Sequence, residues 1–319
     1  MKFKHSFHVF VDNFSVTYKH LLYRLVVMII ATGLYIAVLH SCVNGITDSA
    51  QFTGLIDAVK AFAKNFINGR QPALEEAVNN IKDSFAAVMD LISSKRTSIT
   101  WCAVGAFLIF LVQKFFSGLG NYATAAVIND KMALRAKSPF IITLVRNLRE
   151  ASLYSLMYTP ISVIYDLTFY IGLFFLVFKA LFFVYLPLQL FLYVTLMVMA
   201  ISFKMVLTSD WLPALIRGKM GSGKAFLYTF NRKNKNTFNI FSNFIVLVII
   251  IFALNVMGVV FTFGAAALLT VPSSYVILVC FEFVNYYDRE ELKYFLDKNT
   301  IIKPEKEKAP TREEFFRGE

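Results

Sequence analysis

The fold is decided by the stretch LMYTPISVIYDLTFYIGLFFLVFKALFFVYLPLQLFLYVTLMVMAISF, which occupies residues 156–203. Its only charged residues are Asp166 and Lys179. A membrane-spanning helix takes about 20 apolar residues, so this run is too long for one span. We therefore expect two spans, joined by a tight turn at Lys179 and Ala180.

Apolar runs on both sides of this hairpin extend the pattern to six predicted spans. They cover residues 21–43, 99–116, 156–178, 181–203, 238–257 and 265–284. The composition agrees, because 57% of the 319 residues are hydrophobic and only 17% are charged. A soluble globular domain, a disordered chain and a disulfide-rich secreted module are excluded. The predicted fold class is an all-α polytopic membrane protein with six transmembrane helices.

The distribution of Lys and Arg predicts the orientation of these spans. With the N-terminus inside, the inner segments hold 25 of the 32 basic residues. Inner loops of membrane proteins carry such an excess, so both termini are predicted to be cytoplasmic and the protein to lie in the cell membrane. The net charge of +11 mostly reflects this bias. It suits the anionic lipids of an inner leaflet and does not argue for a nucleic-acid partner.

The predicted outer loop, residues 44–95, has the pattern of a helical hairpin. Apolar residues recur at helical spacing from Phe52 to Ile67 and again from Leu74 to Ile92. Gly69 and Pro72 lie between the stripes, where one helix ends and the next begins. Two interpretations stay open: the helices pack on each other or on the bilayer surface, or they form a gating or partner-binding cap. A disulfide between Cys42 and Cys102 also stays open.

The inner face is predicted to carry amphipathic segments. Residues 3–20, 131–149 and 210–232 each mix basic and apolar residues and each precede a pair of spans. The predicted domains are an interfacial helix over residues 1–20, a membrane domain over 21–287 and a charged cytoplasmic tail over 288–319. We expect the tail to form a short helix and then a flexible end.

Asp166 is the main candidate functional residue, because a carboxylate in the middle of a span is costly. Nearby polar residues at helical spacing and on other spans complete a candidate intramembrane site: Thr159, Ser162, Asp166, Tyr170, Gln189, Ser273 and Ser274. Lys114 and Lys204 are predicted near the inner face and Lys179 near the outer one, so we expect no ion pair. Two hypotheses follow: a cation or proton site, or a neutral acid that locks the bundle.

Other motifs in the sequence carry less chemistry. Residues 218–224 match the phosphate-loop spacing, but Ala225 stands where that loop needs Ser or Thr, and no strand precedes it. We interpret the segment as a glycine hinge. The three Cys and four His residues show no metal-binding spacing, and no cofactor or catalytic constellation is predicted.

One region resembles a known group of proteins. Gly-Lys-Ala-Phe at 223–226 and the basic stretch Asn-Arg-Lys-Asn-Lys-Asn at 231–236 lie between spans four and five. This layout resembles uncharacterised multi-pass bacterial inner-membrane proteins and the membrane domain of some glycerophosphodiester phosphodiesterases. The phosphodiesterase domain is absent from this sequence, so the resemblance implies no catalysis. It implies a bacterial cytoplasmic membrane and an envelope- or lipid-related role.

Two classes of function follow from the sequence. The first is a non-enzymatic membrane protein that organises the envelope by binding lipid, a protein partner or a second copy of itself. The second is a small transporter or permease subunit that uses Asp166.

Overall fold

A computed structural model describes residues 2–68, 71–136, 138–180, 186–230, 237–297 and 300–303. The described chain is almost entirely helical, as predicted. Its α-helices are α1 (Lys2–Asp12), α2 (Ser15–Thr47), α3 (Ala50–Ile67), α4 (Gln71–Ser94), α5 (Arg96–Leu134), α6 (Phe140–Arg146), α7 (Leu148–Phe175), α8 (Leu186–Thr208), α9 (Trp211–Ile216), α10 (Ser222–Phe230), α11 (Thr237–Thr262) and α12 (Ala267–Arg289). A π-helical turn, Leu176–Ala180, follows α7.

Six of these helices are long and apolar enough to cross a bilayer, which confirms the predicted number of spans. They are α2, α5, α7, α8, α11 and α12. The predicted turn between spans three and four begins at the π-helical turn, and α8 starts at Leu186. The turn residues 181–185 lie outside the described part of the chain.

The boundary of α5 differs most from the prediction, since the helix continues to Leu134 rather than ending near residue 116. The added segment contains Asn, Thr, Ala and Gly, which lower its hydropathy, yet it is almost entirely buried. Gly118 faces Ser155 of α7, and Gly120 faces the ring of Tyr23 on α2, with no room for a Cβ atom at either glycine. Small residues here allow close helix packing, as they do between membrane helices.

The chain forms two compact units. One unit comprises Val26–Lys114 and contains the α3–α4 hairpin. The two hairpin helices pack along each other, with Ala77 and Val88 buried. The helical prediction for this loop is therefore confirmed, whereas Gly69 and the side chain of Cys42 lie outside the described residues.

The other unit comprises Met1–Leu25 and Phe115–Glu319 and contains the main hydrophobic core. Three of the long helices begin on one side of this unit (α2, α7 and α11), and the other three terminate on the same side (α5, α8 and α12). We call this side the base. Helix α9 lies inside this core, because Trp211 through Leu215 are all buried. It differs in this respect from the interfacial helix predicted for residues 210–232, since α9 is apolar on every side.

Helix α1 and the segment that follows α12 meet at the base. Helix α1 packs on α12, where the ring of Phe3 stacks on Phe281. After α12 the tail forms strands Tyr294–Phe295 and Ile301–Ile302, paired antiparallel, instead of the short helix that was predicted. The Tyr294 hydroxyl donates to Asp288 at 2.9 Å and lies 3.0 Å from His5 Nδ1. Burial, and then the Asp288 carboxylate, raise the pKa of Tyr294 well above its ordinary value.

Candidate functional site

Asp166 forms an ion pair with Lys204, which overturns the prediction that it has no basic partner. Lys204 Nζ lies 2.6 Å from Asp166 Oδ1 and 2.7 Å from Ser162 Oγ. The Ser162 hydroxyl also lies 3.4 Å from Asp166 Oδ2. We call the ion pair of Asp166 and Lys204, together with the adjacent Ser162, the α7–α8 pair. Its charged side chains are only 20% and 13% exposed, for Asp166 and Lys204 respectively.

The two residues meet because α7 and α8 are antiparallel and side chains lean toward the N-terminus of their own helix. Asp166 leans toward the base and Lys204 leans away from it, so the two heads converge. The long Lys stem spans the remaining distance. Tyr165 fixes the same register, since its hydroxyl donates to the carbonyl oxygen of Ala200 at 2.7 Å. The prediction failed because it compared sequence depths and ignored side-chain direction.

The other predicted site residues are divided among several places. Thr159 is buried near the pair, and its hydroxyl has no partner among the described residues. Tyr170 lies one turn beyond Asp166, on the same face of α7. Gln189 is buried near the start of α8, at the opposite end from Lys204.

Ser273 and Ser274 do not join the α7–α8 pair. The Ser273 hydroxyl donates to Leu269 in its own helix, at 2.8 Å. Ser274 accepts a hydrogen bond from Asn255 on α11, also at 2.8 Å, and so links α11 to α12. The structure therefore does not bring these two serines together with Asp166.

The glycine segment 218–224 does not have the form of a phosphate-binding loop. A helix, α9, precedes it where that loop requires a strand. Trp211 Nε1 donates to the Ser222 carbonyl oxygen at 3.2 Å, and the indole packs on Phe226, so α9 and α10 are held together. Only glycine fits at position 218, because a Cβ atom there would clash with the Ala214 carbonyl oxygen and the Tyr286 hydroxyl.

Sequence reasoning missed a set of buried and half-buried polar side chains along α2 and α12. We call this set the base cluster: Thr17, His20, Arg24, Tyr275, Glu282 and Asn285. His20 stacks on Tyr275 with ring centroids 4.8 Å apart, and the Arg24 guanidinium lies 5.2 Å from the same ring. Glu282 is only 8% exposed and Asn285 only 7%.

The helical spacing of Thr17, His20 and Arg24 was the signal that could have revealed this cluster. The three residues lie on one face of α2, whereas the charge of Arg24 alone suggests only a part of the inner basic excess. Glu282, a carboxylate within the predicted sixth span, was a second signal. No group of three or more metal-ligating side chains occurs among the described residues.

Comparisons with protein families, with curated proteins and with solved structures found no match to this chain.

Proposed function

We propose that this chain is a non-enzymatic integral membrane protein with a lipid-related organising role in the envelope, which binds anionic lipid at its base. Helix α6 supports this proposal most directly. Its side chains Ile141, Ile142 and Val145 are exposed, and the exposed arginines Arg146 and Arg149 lie beside them. Apolar side chains next to basic ones are typical of helices that lie in the headgroup region of a bilayer.

The ion pair between Asp166 and Lys204 also supports an organising role rather than a transporting one. A carboxylate held by Lys204 and Ser162 is already neutralised by the protein. Such a pair stabilises the α7–α8 hairpin and does not need a transported cation as a partner.

Lipid retention tests the proposal. The protein is extracted in mild detergent from bilayers with equal amounts of phosphatidylglycerol and phosphatidylethanolamine, and retained lipids are identified by native mass spectrometry. We expect an excess of phosphatidylglycerol. Each basic residue near an anionic surface contributes about 1 kcal/mol, so Arg146→Gln with Arg149→Gln should reduce the excess severalfold.

The α3–α4 hairpin offers a matched control. Lys64 and Lys82 are exposed basic residues there, and replacing both by Gln removes the same charge. This control should retain lipid as the wild type does. Equal retention of both lipids by the wild type, or equal losses in both double variants, would contradict the proposal.

We further propose that the membrane is the bacterial cytoplasmic membrane and that both termini are cytoplasmic. The distribution of basic residues and the resemblance in layout support this orientation. Single cysteines at Lys82 or Lys219 test it, in a background whose native cysteines are replaced by serine. A membrane-impermeant maleimide added to intact cells should label Lys82→Cys and not Lys219→Cys; the opposite pattern would reverse the orientation.

The second candidate function, a small transporter or permease subunit, is favoured by one observation: an acid and a base with residual exposure face each other within the spans. Ser162→Cys keeps both charges and places a thiol beside them. Labelling of this thiol by a water-soluble maleimide would favour transport, and protection would favour the organising role.

A further inference from the structure

Arg24 is a half-buried cation within α2, and no carboxylate of the described residues pairs with it. Of its N–H donors, only one forms a hydrogen bond to the described residues: Nη2 donates to Asn121 Oδ1 at 3.3 Å. The Arg24 Nε atom is buried and has no partner among them. A cation in a membrane helix is costly unless an anion or several acceptors satisfy it. Arg24 therefore needs a partner that these residues do not supply.

The side chains that contact Arg24 or lie one turn from it carry no negative charge. The guanidinium lies 5.2 Å from the centre of the Tyr275 ring, a contact that attracts a cation but occupies none of its donors. His20 stacks on the same ring and is not an anion in either protonation state. Its Nδ1 carries a proton, because Thr124 lies 2.8 Å away and donates its own hydroxyl proton to the Gly120 carbonyl oxygen. None of these groups is a counter-ion for Arg24.

Contacts between α2 and α5 indicate the depth of the guanidinium. Leu22 and Phe116 are exposed apolar side chains on these two helices. They lie at one level, because the Tyr23 hydroxyl donates to the Phe116 carbonyl oxygen at 2.8 Å. Asn121, which Arg24 contacts, is buried and lies further along α5 toward the base. The guanidinium thus lies where the exposed apolar surface ends, which is the level of lipid headgroups.

This place adjoins α6, the helix whose exposed apolar and basic side chains support the proposed function. The Tyr23 ring packs on Phe140, the first residue of α6, with ring centroids 5.8 Å apart. Leu22 and Ile141, which follow the chain on either side of this contact, are both exposed. A lipid molecule that covers these apolar side chains has its headgroup near Arg24.

We propose that Arg24 binds the phosphate group of one anionic lipid, while Asn121 and Tyr275 hold the guanidinium in place. An arginine presents parallel N–H donors to phosphate oxygens, and Nε can be one of them. The phosphate supplies the negative charge that the protein lacks here. This inference rests on the proposed lipid-binding function and identifies the residue that recognises the phosphate.

Native mass spectrometry of the full chain tests the site. The protein is extracted in mild detergent from vesicles with equal amounts of phosphatidylglycerol and phosphatidylethanolamine. We expect one phosphatidylglycerol molecule to stay bound at collision energies that remove the others. Arg24→Gln should reduce its retention by about tenfold or more, because hydrogen bonds to charged groups are strong. Lys19→Gln, the matched control, removes an exposed basic residue from the same helix and should keep this lipid.

Asn121→Asp tests the same site with Arg24 in place. A carboxylate at position 121 gives the guanidinium a counter-ion within the protein, so this variant should fold and still lose the bound lipid. Circular dichroism checks the folding of both variants, and either one that folds decides the result. Wild-type retention in a folded Arg24→Gln or Asn121→Asp variant would overturn the proposal.

Inorganic phosphate distinguishes a lipid headgroup from free phosphate as the source of the anion. Delipidated protein is incubated with inorganic phosphate or with phosphatidylglycerol, and we expect only the lipid to give an adduct that depends on Arg24. An Arg24-dependent adduct with inorganic phosphate, and none with the lipid, would overturn the lipid as the ligand.

The α6 double variant, Arg146→Gln with Arg149→Gln, separates this site from the proposed function. It should lower the total excess of phosphatidylglycerol and keep the one lipid at Arg24. Wild-type retention in Arg24→Gln beside a reduced excess in the α6 variant would contradict the Arg24 site alone. No excess of phosphatidylglycerol in the wild type would contradict both.

Discussion

The α7–α8 pair and the base cluster both place charged side chains within the spans, but they satisfy them differently. In the pair, Lys204 contacts both Asp166 and Ser162. In the base cluster, Arg24 and Glu282 form no ion pair among the described residues, and polar atoms of Thr17 and His20 lack partners. A charge with a fixed protein partner stabilises the fold, whereas a buried group without one depends on molecules that the protein must bind.

This contrast reverses the emphasis of the sequence analysis. Asp166 was the main candidate for cation or proton chemistry, yet the structure gives it a protein partner. Glu282 was not a candidate, yet it is buried within α12 and no described residue forms an ion pair with it. Variants that remove one partner at a time can test whether the two regions contribute differently to the free energy of unfolding.

Asp166→Asn should have the largest effect on stability. It removes the carboxylate that lies 2.6 Å from Lys204 Nζ in a nearly buried position, and breaking a buried ion pair costs about 3–5 kcal/mol. Unfolding in detergent, followed by circular dichroism, measures the loss. Asp57→Asn is the control, since its partner Lys60 is exposed and the pair is worth less than about 1 kcal/mol. Equal stability of Asp166→Asn and wild type would contradict a structural ion pair.

Removing both charges should cost much less than removing one. Asp166→Leu with Lys204→Met removes both charges of the pair, and apolar replacements of buried ion pairs are often close to neutral. We expect the double variant to recover most of the stability that Asp166→Leu alone loses. If the losses of the two single variants simply add in the double variant, the residues do not interact.

Thr124→Val should have an intermediate effect. The substitution keeps the shape of the side chain but removes the acceptor of the His20 Nδ1 proton, and a stranded buried donor costs about 1–3 kcal/mol. The same unfolding assay measures the change. A wild-type midpoint would mean that His20 Nδ1 finds another acceptor in the variant.

Thr17→Val should have the smallest effect on stability, below about 1 kcal/mol, although Thr17 and Thr124 are equally buried. The Thr17 hydroxyl has no described protein partner, so its removal strands no protein group and displaces only water. Comparing Thr17→Val with Thr124→Val in one assay separates the cost of losing a hydrogen-bond partner from the effect of burial. Equal losses in the two variants would show that Thr17 has a protein partner after all.

Much of the fold was predictable from local sequence. Runs of apolar residues in 156–203 and elsewhere located all six long helices, and helical spacing located α3 and α4. The prediction failed at α5 beyond residue 116, at α9 and at the tail. In α5 and α9, helices that are buried by the protein need neither the hydropathy nor the two-faced pattern that a bilayer imposes. In the tail, local charge suggested a helix, whereas Tyr294 is held by contacts with α1 and α12.

The candidate site was predictable only in part, because it depends on which side chains converge. Ser162 and Asp166 are four residues apart, so their proximity followed from helical periodicity alone. Lys204 joins them from another helix, and that contact depends on the register of α7 against α8 and on the direction of both side chains. His20 meets Tyr275 across an even longer separation in sequence. The sequence by itself determined the helices and their apolar surfaces, since these follow from local hydropathy and spacing. Only the tertiary structure decided which polar groups have partners, because partnering depends on distances between residues far apart in the chain.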